Sequence, residues 1–163
     1  SYRVVWFERW ESGLFKAAET YPKAALATVS THDLATIRGF LSSRDIDWRE
    51  EVGQLDTAAA KLARRERKAD IEKLRDALVY EKLLDGKGPE ALVVALHRFL
   101  ASTTSALAMM QLEDLEGAVE QPNLPGTIDE HPNWRRRMQG SLDDLAASKL
   151  AAELFSVMAK ARP

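Results

Sequence analysis

Short apolar runs alternate with helix-like stretches along this chain. Tyr2–Phe7 is rich in β-branched and aromatic residues, and Ala24–Thr31 is a short apolar run, so both predict buried strands. A third run, Ser105–Leu112, has the propensity of a helix but the position of a strand, and the pattern leaves both open. Because strands separated by helices favour parallel pairing, the pattern predicts a helix-rich α/β fold. Three parallel strands are too few for a closed barrel of about eight, which indicates an incomplete fold.

The helical stretches differ in how clearly they begin and end. Leu34–Ser43 has apolar residues at helical spacing, and Asp33 is placed to cap it. Glu50–Leu84 lacks proline, and its two apolar stripes flank the basic run Arg64–Lys68. Either two helices meet at this run, or one helix has a solvated middle. Pro89–Ala101 opens with proline, as the first turn of a helix often does.

The C-terminal third combines a long loop with a final helix. Residues 116–133 are rich in proline and glycine and predict an irregular loop, and long loops in compact domains are often functional. The triplet Arg135–Arg137 follows. Consecutive helical residues point to different sides, which favours salt bridges across the loop over a phosphate or nucleic-acid site. A capping-box pattern at Ser141–Asp144 predicts a last helix from Leu142 to about Lys160.

Composition narrows the class of protein. The 163 residues are 45% hydrophobic and 29% charged, as in a globular domain, and the net charge of -2 does not indicate binding to nucleic acid or anionic membranes. Without cysteine, disulfides, thiolate zinc sites and thiol nucleophiles are excluded, and three histidines make a multi-histidine metal site improbable. The most apolar stretch, Ala91–Leu112, is broken by His97 and Arg98 and is a poor membrane span. Since Ser1 is followed at once by a strand-like run, we expect the chain to begin within a longer protein.

The most informative dipeptide is His32-Asp33, directly after the second predicted strand. In barrel enzymes the reactive side chains lie where a strand ends and its loop begins. An imidazole beside a carboxylate suits a pair of sugar hydroxyls, and the carboxylate would hold them more tightly as positive charge develops. The alternative is a helix cap beside a structural histidine.

Other candidates each have a structural alternative. Glu113-Asp114 ends a strand-like run, and by pattern we favour a structural role over a hydrogen-bonding pair at a barrel mouth. Asn123 in a Pro- and Gly-containing turn either shapes a site or closes an Asx-turn. His97, among apolar neighbours, is predicted to pack between helices. The tryptophans could stack on sugar rings or lie in the core; they are Trp6, Trp10, Trp48 and Trp134.

Five segments stand in an order that resembles one family. They are Tyr-Arg-Val-Val-Trp-Phe-Glu-Arg (2–9), Ala-Leu-Ala-Thr-Val-Ser-Thr-His-Asp-Leu-Ala-Thr (25–36), Gln-Leu-Glu-Asp-Leu (111–115), Asn-Leu-Pro-Gly-Thr (123–127) and Asp-Glu-His-Pro-Asn-Trp-Arg-Arg (129–136). Together they resemble the C-terminal part of glycoside hydrolase family 77, the 4-alpha-glucanotransferases or amylomaltases. No single segment is decisive, but five in order are specific. Ala35 departs from the family, which usually has proline there.

The resemblance implies a (β/α)8 TIM barrel enzyme that moves α-1,4-glucan segments between maltodextrins with retention of configuration. In the family, an Asp after strand four is the nucleophile and a Glu after strand five is the general acid/base. A His-Asp pair after strand seven holds the donor sugar, which makes Asp33 the predicted catalytic residue and His32 a predicted substrate-binding residue. Asn123 matches a position that lines the sugar cleft. The predicted fold is therefore strands six to eight of the barrel with their helices, covering residues 1–163, with a helical insertion at about 50–101.

The resemblance also sets expectations for the isolated chain. Retaining transfer needs two carboxyl groups about 5–5.5 Å apart, and Asp33 alone cannot supply both, so we expect the fragment to be inactive. With strand edges uncovered, we expect it to rearrange, become mostly helical (residues 105–112 included) or self-associate. The implied parent is cytoplasmic, binds maltooligosaccharides and α-1,4-glucans, and needs no metal or organic cofactor. The alternative is a non-catalytic helical interaction module, which would explain the helices of 50–101 but not the ordered motifs.

Overall fold

A three-stranded parallel sheet lies at the centre of the fold, as the pattern predicts. The computed structural model describes residues 1–162, so Pro163, the last residue of the predicted domain, lies outside the described residues. The strands are β1 (Tyr2–Val4), β2 (Leu26–Thr28) and β3 (Leu107–Met109), in the spatial order β1-β2-β3. In this register Tyr2 pairs with Leu26, and Leu26 with Leu107. The helices are α1 (Ile37–Ser42), α2 (Arg44–Glu51), α3 (Thr57–Tyr80), α4 (Pro89–Ser102), α5 (Leu112–Glu116), α6 (Leu142–Ala147) and α7 (Lys149–Ala161).

The strands are shorter than their apolar runs. After Val4 the chain turns into a short 3₁₀ helix, Val5–Phe7, so the first predicted strand is too long by those residues. Val5 and Trp6 are buried there, so apolar character reflects core packing rather than continued pairing. The sequence pattern leaves the third apolar run, residues 105–112, open between helix and strand, and the structure shows that it contains the strand β3. The expected conversion of 105–112 to helix is wrong for the structure, because Ala106 and Leu107 donate their N–H groups to carbonyls of the segment leading into β2.

Helix α1 begins later than predicted. Its N-cap is Thr36, whose hydroxyl oxygen accepts a hydrogen bond from the Gly39 N–H at 2.9 Å. The prediction that Asp33 caps this helix is therefore wrong. A tight turn separates the two positions, with the Leu34 N–H donating to the Thr31 carbonyl. As a result, the Asp33 carboxylate is available for other partners.

The stretch from 50 to 84 contains one long helix, α3, that runs straight through the basic run. Of the two alternatives, one continuous helix is therefore observed, but its middle is not merely solvated. Arg67 makes a bidentate ion pair with Asp45 at 2.7 and 2.8 Å and also donates to the Phe40 carbonyl. Arg64 pairs with Asp47 on the same neighbouring helix, α2. The basic run therefore ties α3 to α2.

Helix α4 is the centre of the apolar core. It begins at Pro89 as predicted, and its buried residues pack against the sheet and α7. His97 is fully buried here, with its Nδ1 2.8 Å from the Val93 carbonyl oxygen, and desolvation lowers its pKa. It is the helix-packing residue that the pattern predicts. The last predicted helix is split into α6 and α7, because Ser148 leaves helical geometry and its hydroxyl caps α7.

One face of the sheet is only partly covered. Ala27 and Ala108 point toward the helices and join the core, so their sequence neighbours point the other way. On that other face Tyr2, Leu107 and Met109 are about half exposed or more. No helix within residues 1–162 is long and apolar enough to cross a membrane.

Candidate functional site

The loop that follows β2 carries His32 and Asp33 at the carboxyl edge of the sheet. Local hydrogen bonds fix its shape: the Ser30 hydroxyl donates to the Ala35 carbonyl at 2.6 Å, and the Asp33 N–H donates to the Thr31 hydroxyl at 3.3 Å. Ser30 is buried, whereas the His32 and Asp33 side chains are 57% and 46% exposed. The backbone is therefore anchored while the two functional groups face solvent.

Asp33 is the centre of a three-residue polar cluster. One carboxylate oxygen accepts a hydrogen bond from the Asn123 amide at 2.6 Å, and the other lies 3.3 Å from His32 Nε2. The Asn123 N–H also donates to the His32 carbonyl at 3.1 Å. The structure thus brings together all three predicted site residues, although Asn123 lies 90 positions away from Asp33 in sequence. Of the two interpretations of Asn123, this geometry favours the site over a local Asx-turn.

A residue that the sequence analysis missed organises the loop around Asn123. The Asn133 side-chain oxygen accepts from the Leu124 N–H at 2.9 Å and lies 2.7 Å from His131 Nδ1. Its amide donates to the Thr127 carbonyl and hydroxyl at 3.1 and 2.8 Å. One side chain therefore closes the loop between 123 and 133. Asn133 lies in the fifth segment of the family resemblance, but an asparagine at the end of a loop is too common to identify such a role.

A second anchor joins this loop to α2 through Glu120. Its carboxylate accepts hydrogen bonds from the Trp48 indole and from Arg44, the latter at 2.9 Å, and lies 3.4 Å from Arg136. Burial raises the pKa of Glu120, but the hydrogen bonds from Trp48 and Arg44 and the charges of Arg136 and Arg44 outweigh it, so the net pKa is lowered. Glu120 is therefore held as a carboxylate. Arg136 here, and Arg135 beside Asp129, make the predicted salt bridges across the loop.

A third polar contact joins α5, which follows β3, to the start of α1. Asp114 is 3% exposed, and its carboxylate accepts a hydrogen bond from the Ile37 N–H at 2.8 Å. Desolvation raises its pKa to about 7, with a smaller contribution from the charge of Glu113 and an opposing one from the Ile37 hydrogen bond. Beside it, the Thr36 hydroxyl lies 2.8 Å from the Ala118 carbonyl oxygen. These contacts agree with the structural role favoured for Asp114.

Two cavities flank the long loop. The one that includes Asp33 has a volume of about 320 Å³ and continues past Leu34, Arg49, Gln121 and Leu124. A larger one, of about 440 Å³, lies near Glu113, Glu120 and Arg136 and does not include the cluster. The smaller cavity is the candidate site, because Asp33 of the polar cluster lies in its wall. Within residues 1–162 no group of three or more His, Asp or Glu side chains is placed to hold a metal.

The tryptophans separate into different environments. Trp6 is buried and stacked on Phe40, with ring centroids 4.1 Å apart. Trp48 is partly buried between Arg44 and His131. Trp134 is exposed beside His32, with ring centroids 5.1 Å apart. The structure therefore assigns Trp6 to the core and leaves Trp134 at the candidate site.

Parallel strands joined by helices, with an open His-Asp-Asn cluster at their carboxyl edge, define an α/β protein with a candidate polar ligand site at the strand ends. Comparison with known proteins then narrows the class. A family model described as 4-alpha-glucanotransferase matches residues 1–143, so the chain belongs to glycoside hydrolase family 77.

Individual relatives agree with this family. The 4-alpha-glucanotransferase of Mycobacterium tuberculosis (strain H37Rv) is 34% identical in an alignment that is 166 residues long with its gaps and covers 93% of this chain. That of Haemophilus influenzae is 29% identical and covers 95% of it. The crystal structure of amylomaltase from Corynebacterium glutamicum is similar with a TM-score of 0.82 and 30% identity over 96% of the chain. The chain spans only 22%, 23% and 25% of the lengths of these three proteins.

Proposed function

We propose that the chain is the C-terminal part of the catalytic barrel of a cytoplasmic 4-alpha-glucanotransferase. The complete protein would transfer an α-1,4-glucan segment from a donor maltodextrin to the 4-hydroxyl of an acceptor sugar, with retention of configuration. In this proposal β1, β2 and β3 are strands six, seven and eight. The observation that carries it is the open cluster of Asp33, His32 and Asn123 at the carboxyl edge of the sheet, in a chain of this family.

The cluster suits a sugar ring on chemical grounds. A carboxylate accepts hydrogen bonds from neighbouring hydroxyls, and its negative charge stabilises the positive charge that builds on the ring in an oxocarbenium-like transition state. Asn123 holds one oxygen of Asp33 through a hydrogen bond and the His32 ring lies 3.3 Å from the other before the sugar arrives, which reduces the reorganisation needed in the reaction. Asp33 is then the transition-state stabiliser, and His32 and Asn123 bind and orient.

The nucleophile and the acid/base must come from other parts of the protein. Retention requires two carboxyl groups about 5–5.5 Å apart on either side of the scissile bond, and Asp33 is assigned to neither role. In the family these groups follow strands four and five, which precede the region that this chain matches. We therefore propose that the isolated chain is inactive.

The alternative of a non-catalytic helical module accounts for α3 and α4 but gives no role to the open carboxylate. It also gives no reason for the polar bonds that hold Asn123 against it. We therefore retain the enzyme segment as the proposed function.

The test is disproportionation of maltotriose into glucose and longer maltodextrins. The complete protein is expected to carry out this reaction, and the purified 163-residue chain is expected to give no product above background. A complete protein without transfer activity would contradict the proposed function. Turnover by the isolated chain would contradict the assignment of nucleophile and acid/base to the missing part.

A further inference from the structure

Trp134 is a large aromatic side chain at the edge of the polar cluster. Its indole is 65% exposed and lies 5.1 Å from the His32 ring, tilted by 46°. The backbone N–H of Trp134 donates to the Pro122 carbonyl at 3.0 Å, and Pro122 directly precedes Asn123, which binds Asp33. The same short piece of chain therefore positions both the amide on the carboxylate and the exposed ring beside it.

The backbone at Trp134 is unusual for such a residue. Its φ is +59°, in the left-handed region that bulky side chains avoid. Ser43 and Lys82, the other non-glycine residues with positive φ among residues 1–162, lie at or just after helix ends, where this geometry is common. Trp134 lies in a turn instead. A strained backbone at an open site is a reason to look for function.

The preceding residue holds this conformation in place. Asn133 makes hydrogen bonds to Leu124 and Thr127, and its side-chain oxygen also lies 2.7 Å from His131. His131 is fully buried and packs edge-on against Trp48. The ring is thus presented on a rigid support, although none of the contacts of Asn133 needs an aromatic residue at position 134.

We infer that the Trp134 indole is a stacking surface for a glucose ring of the glucan, next to the ring held by His32 and Asp33. The C–H groups on one face of a glucose ring form an apolar patch that packs on an aromatic face, while its hydroxyls are free to bind polar groups at the ring edge. An exposed indole beside a carboxylate, an imidazole and an amide provides both kinds of contact. This inference rests on the proposed function and adds a binding residue to it.

The test is the kinetics of the complete protein on maltotriose and maltoheptaose, with four substitutions at position 134. Removal of the ring in Trp134→Ala is expected to raise KM at least tenfold, with kcat changed less than threefold. Trp134→Phe and Trp134→Tyr, which keep a ring, are expected to stay within about threefold of the wild type. Trp134→Gly relieves the backbone but has no ring, and is expected to behave like Trp134→Ala.

The series separates stacking from backbone conformation. If the ring matters, the Phe and Tyr variants keep a KM close to that of the wild type, and the Gly and Ala variants share the raised KM. If only the backbone matters, Gly is the best variant and Phe is as poor as Ala, which would overturn the inference. Trp10→Ala, which removes another exposed tryptophan, is the matched control and is expected to leave KM unchanged. Equal melting temperatures across the series show that each variant is folded.

Binding gives a second measurement that does not depend on turnover. Calorimetric titration of maltoheptaose into the complete protein is expected to show a matching tenfold loss of affinity for Trp134→Ala. Wild-type protein that binds the glucan without transferring it would contradict the proposed function, while the affinity of Trp134→Ala would still decide the inference. Unchanged affinity in Trp134→Ala, or absence of glucan binding by the wild type, would overturn the inference.

Discussion

The helical layer and the loop from Gly117 to Arg136 are held in place by different kinds of contact. Helix α4 is fixed by apolar side chains that are almost wholly buried against the sheet and α7. The loop is fixed by the hydrogen bonds and ion pairs of Glu120, Asn123 and Asn133. Apolar packing is non-directional and tolerates small shifts, whereas hydrogen bonds fix individual groups in position. The candidate site lies where the directional contacts are.

The difference predicts where substitutions affect the whole fold and where they act locally. Burial contributes to the stability of the whole domain, because α4 packs against α1, α3 and α7. Loop contacts contribute to the position of Asn123 and Trp134 relative to Asp33. Loss of core packing should therefore unfold the chain, and loss of loop contacts should change the site while the core stays folded.

The largest expected effect is that of Leu96→Ala in the core. Leu96 is fully buried in α4, and its truncation removes packing and leaves a cavity, at a cost of about 2–5 kcal/mol of unfolding free energy. Urea unfolding of the chain followed by circular dichroism measures it. Leu142→Ala, at an exposed position on α6, is the control and should change stability by less than about 0.5 kcal/mol. Equal effects of the two would contradict the assignment of the core.

A pH-dependent effect is expected at Asp114, where the two regions meet. The folded pKa is raised to about 7, so between about pH 4 and pH 7 the folded chain binds more protons than the unfolded chain. The unfolding free energy from this group therefore falls as pH rises through that window, by up to about 4 kcal/mol, and stays lower above it.

Asp114→Asn removes this titration but keeps an oxygen that can accept from the Ile37 N–H. We expect the stability of the variant relative to the wild type to increase from pH 4 to pH 7, as measured by urea unfolding at several pH values. Asp143→Asn, at an exposed position, is the control and should show no such trend. A constant difference between wild type and Asp114→Asn across this range would contradict the burial of a protonated Asp114.

A smaller and local effect is expected for Asn133→Ala. The substitution removes the hydrogen bonds that close the loop and leaves the Leu124 N–H without its partner, a cost of about 1–3 kcal/mol. Hydrogen exchange should become faster for residues 118–134 and stay unchanged in α4. Faster exchange in α4 as well would show that the loop and the core are not held independently.

The smallest free-energy change is expected for self-association of the isolated chain through the partly covered face of the sheet. The isolated chain exposes Tyr2, Leu107 and Met109, and it is expected to self-associate at micromolar or higher concentration, as measured by light scattering after size-exclusion chromatography. The double variant Leu107→Gln and Met109→Gln should shift the chain toward monomer. A wild-type chain that stays monomeric at high concentration would contradict this expectation.

Apolar patterning predicted the parts of the fold that depend on burial. The strands β1 and β2 and the helix α4 follow from apolar runs, helical periodicity and Pro89, whereas the pattern leaves β3 open between strand and helix and α3 open between one helix and two. The exact ends of the strands could not be predicted from the apolar pattern. Val5 and Trp6 are apolar because they pack in the core, and they do not continue the pairing of β1. The helix cap was assigned to Asp33 instead of Thr36, because both residue types cap helices well and only the fold decides between them.

The candidate site was predicted in part. His32 and Asp33 are adjacent in sequence and follow a recognisable strand, and Asn123 came from the family resemblance. Asn133 and Glu120 could not be found, since their partners lie in distant parts of the chain or in irregular loop backbone. The role of Arg67 was missed for the same reason. The sequence of a charged helix does not indicate that one of its arginines pairs with Asp45 on α2.

The central claim is that Asp33 stabilises the reacting sugar, and transfer by the complete protein with Asp33→Asn tests it most directly. The substitution keeps the size of the side chain but removes the negative charge, and Asn123→Asp, which places a second carboxyl beside Asp33, serves as a comparison. We expect kcat on maltotriose to fall at least about 100-fold for Asp33→Asn, with an unchanged melting temperature. Full transfer activity in a folded Asp33→Asn protein would contradict the account.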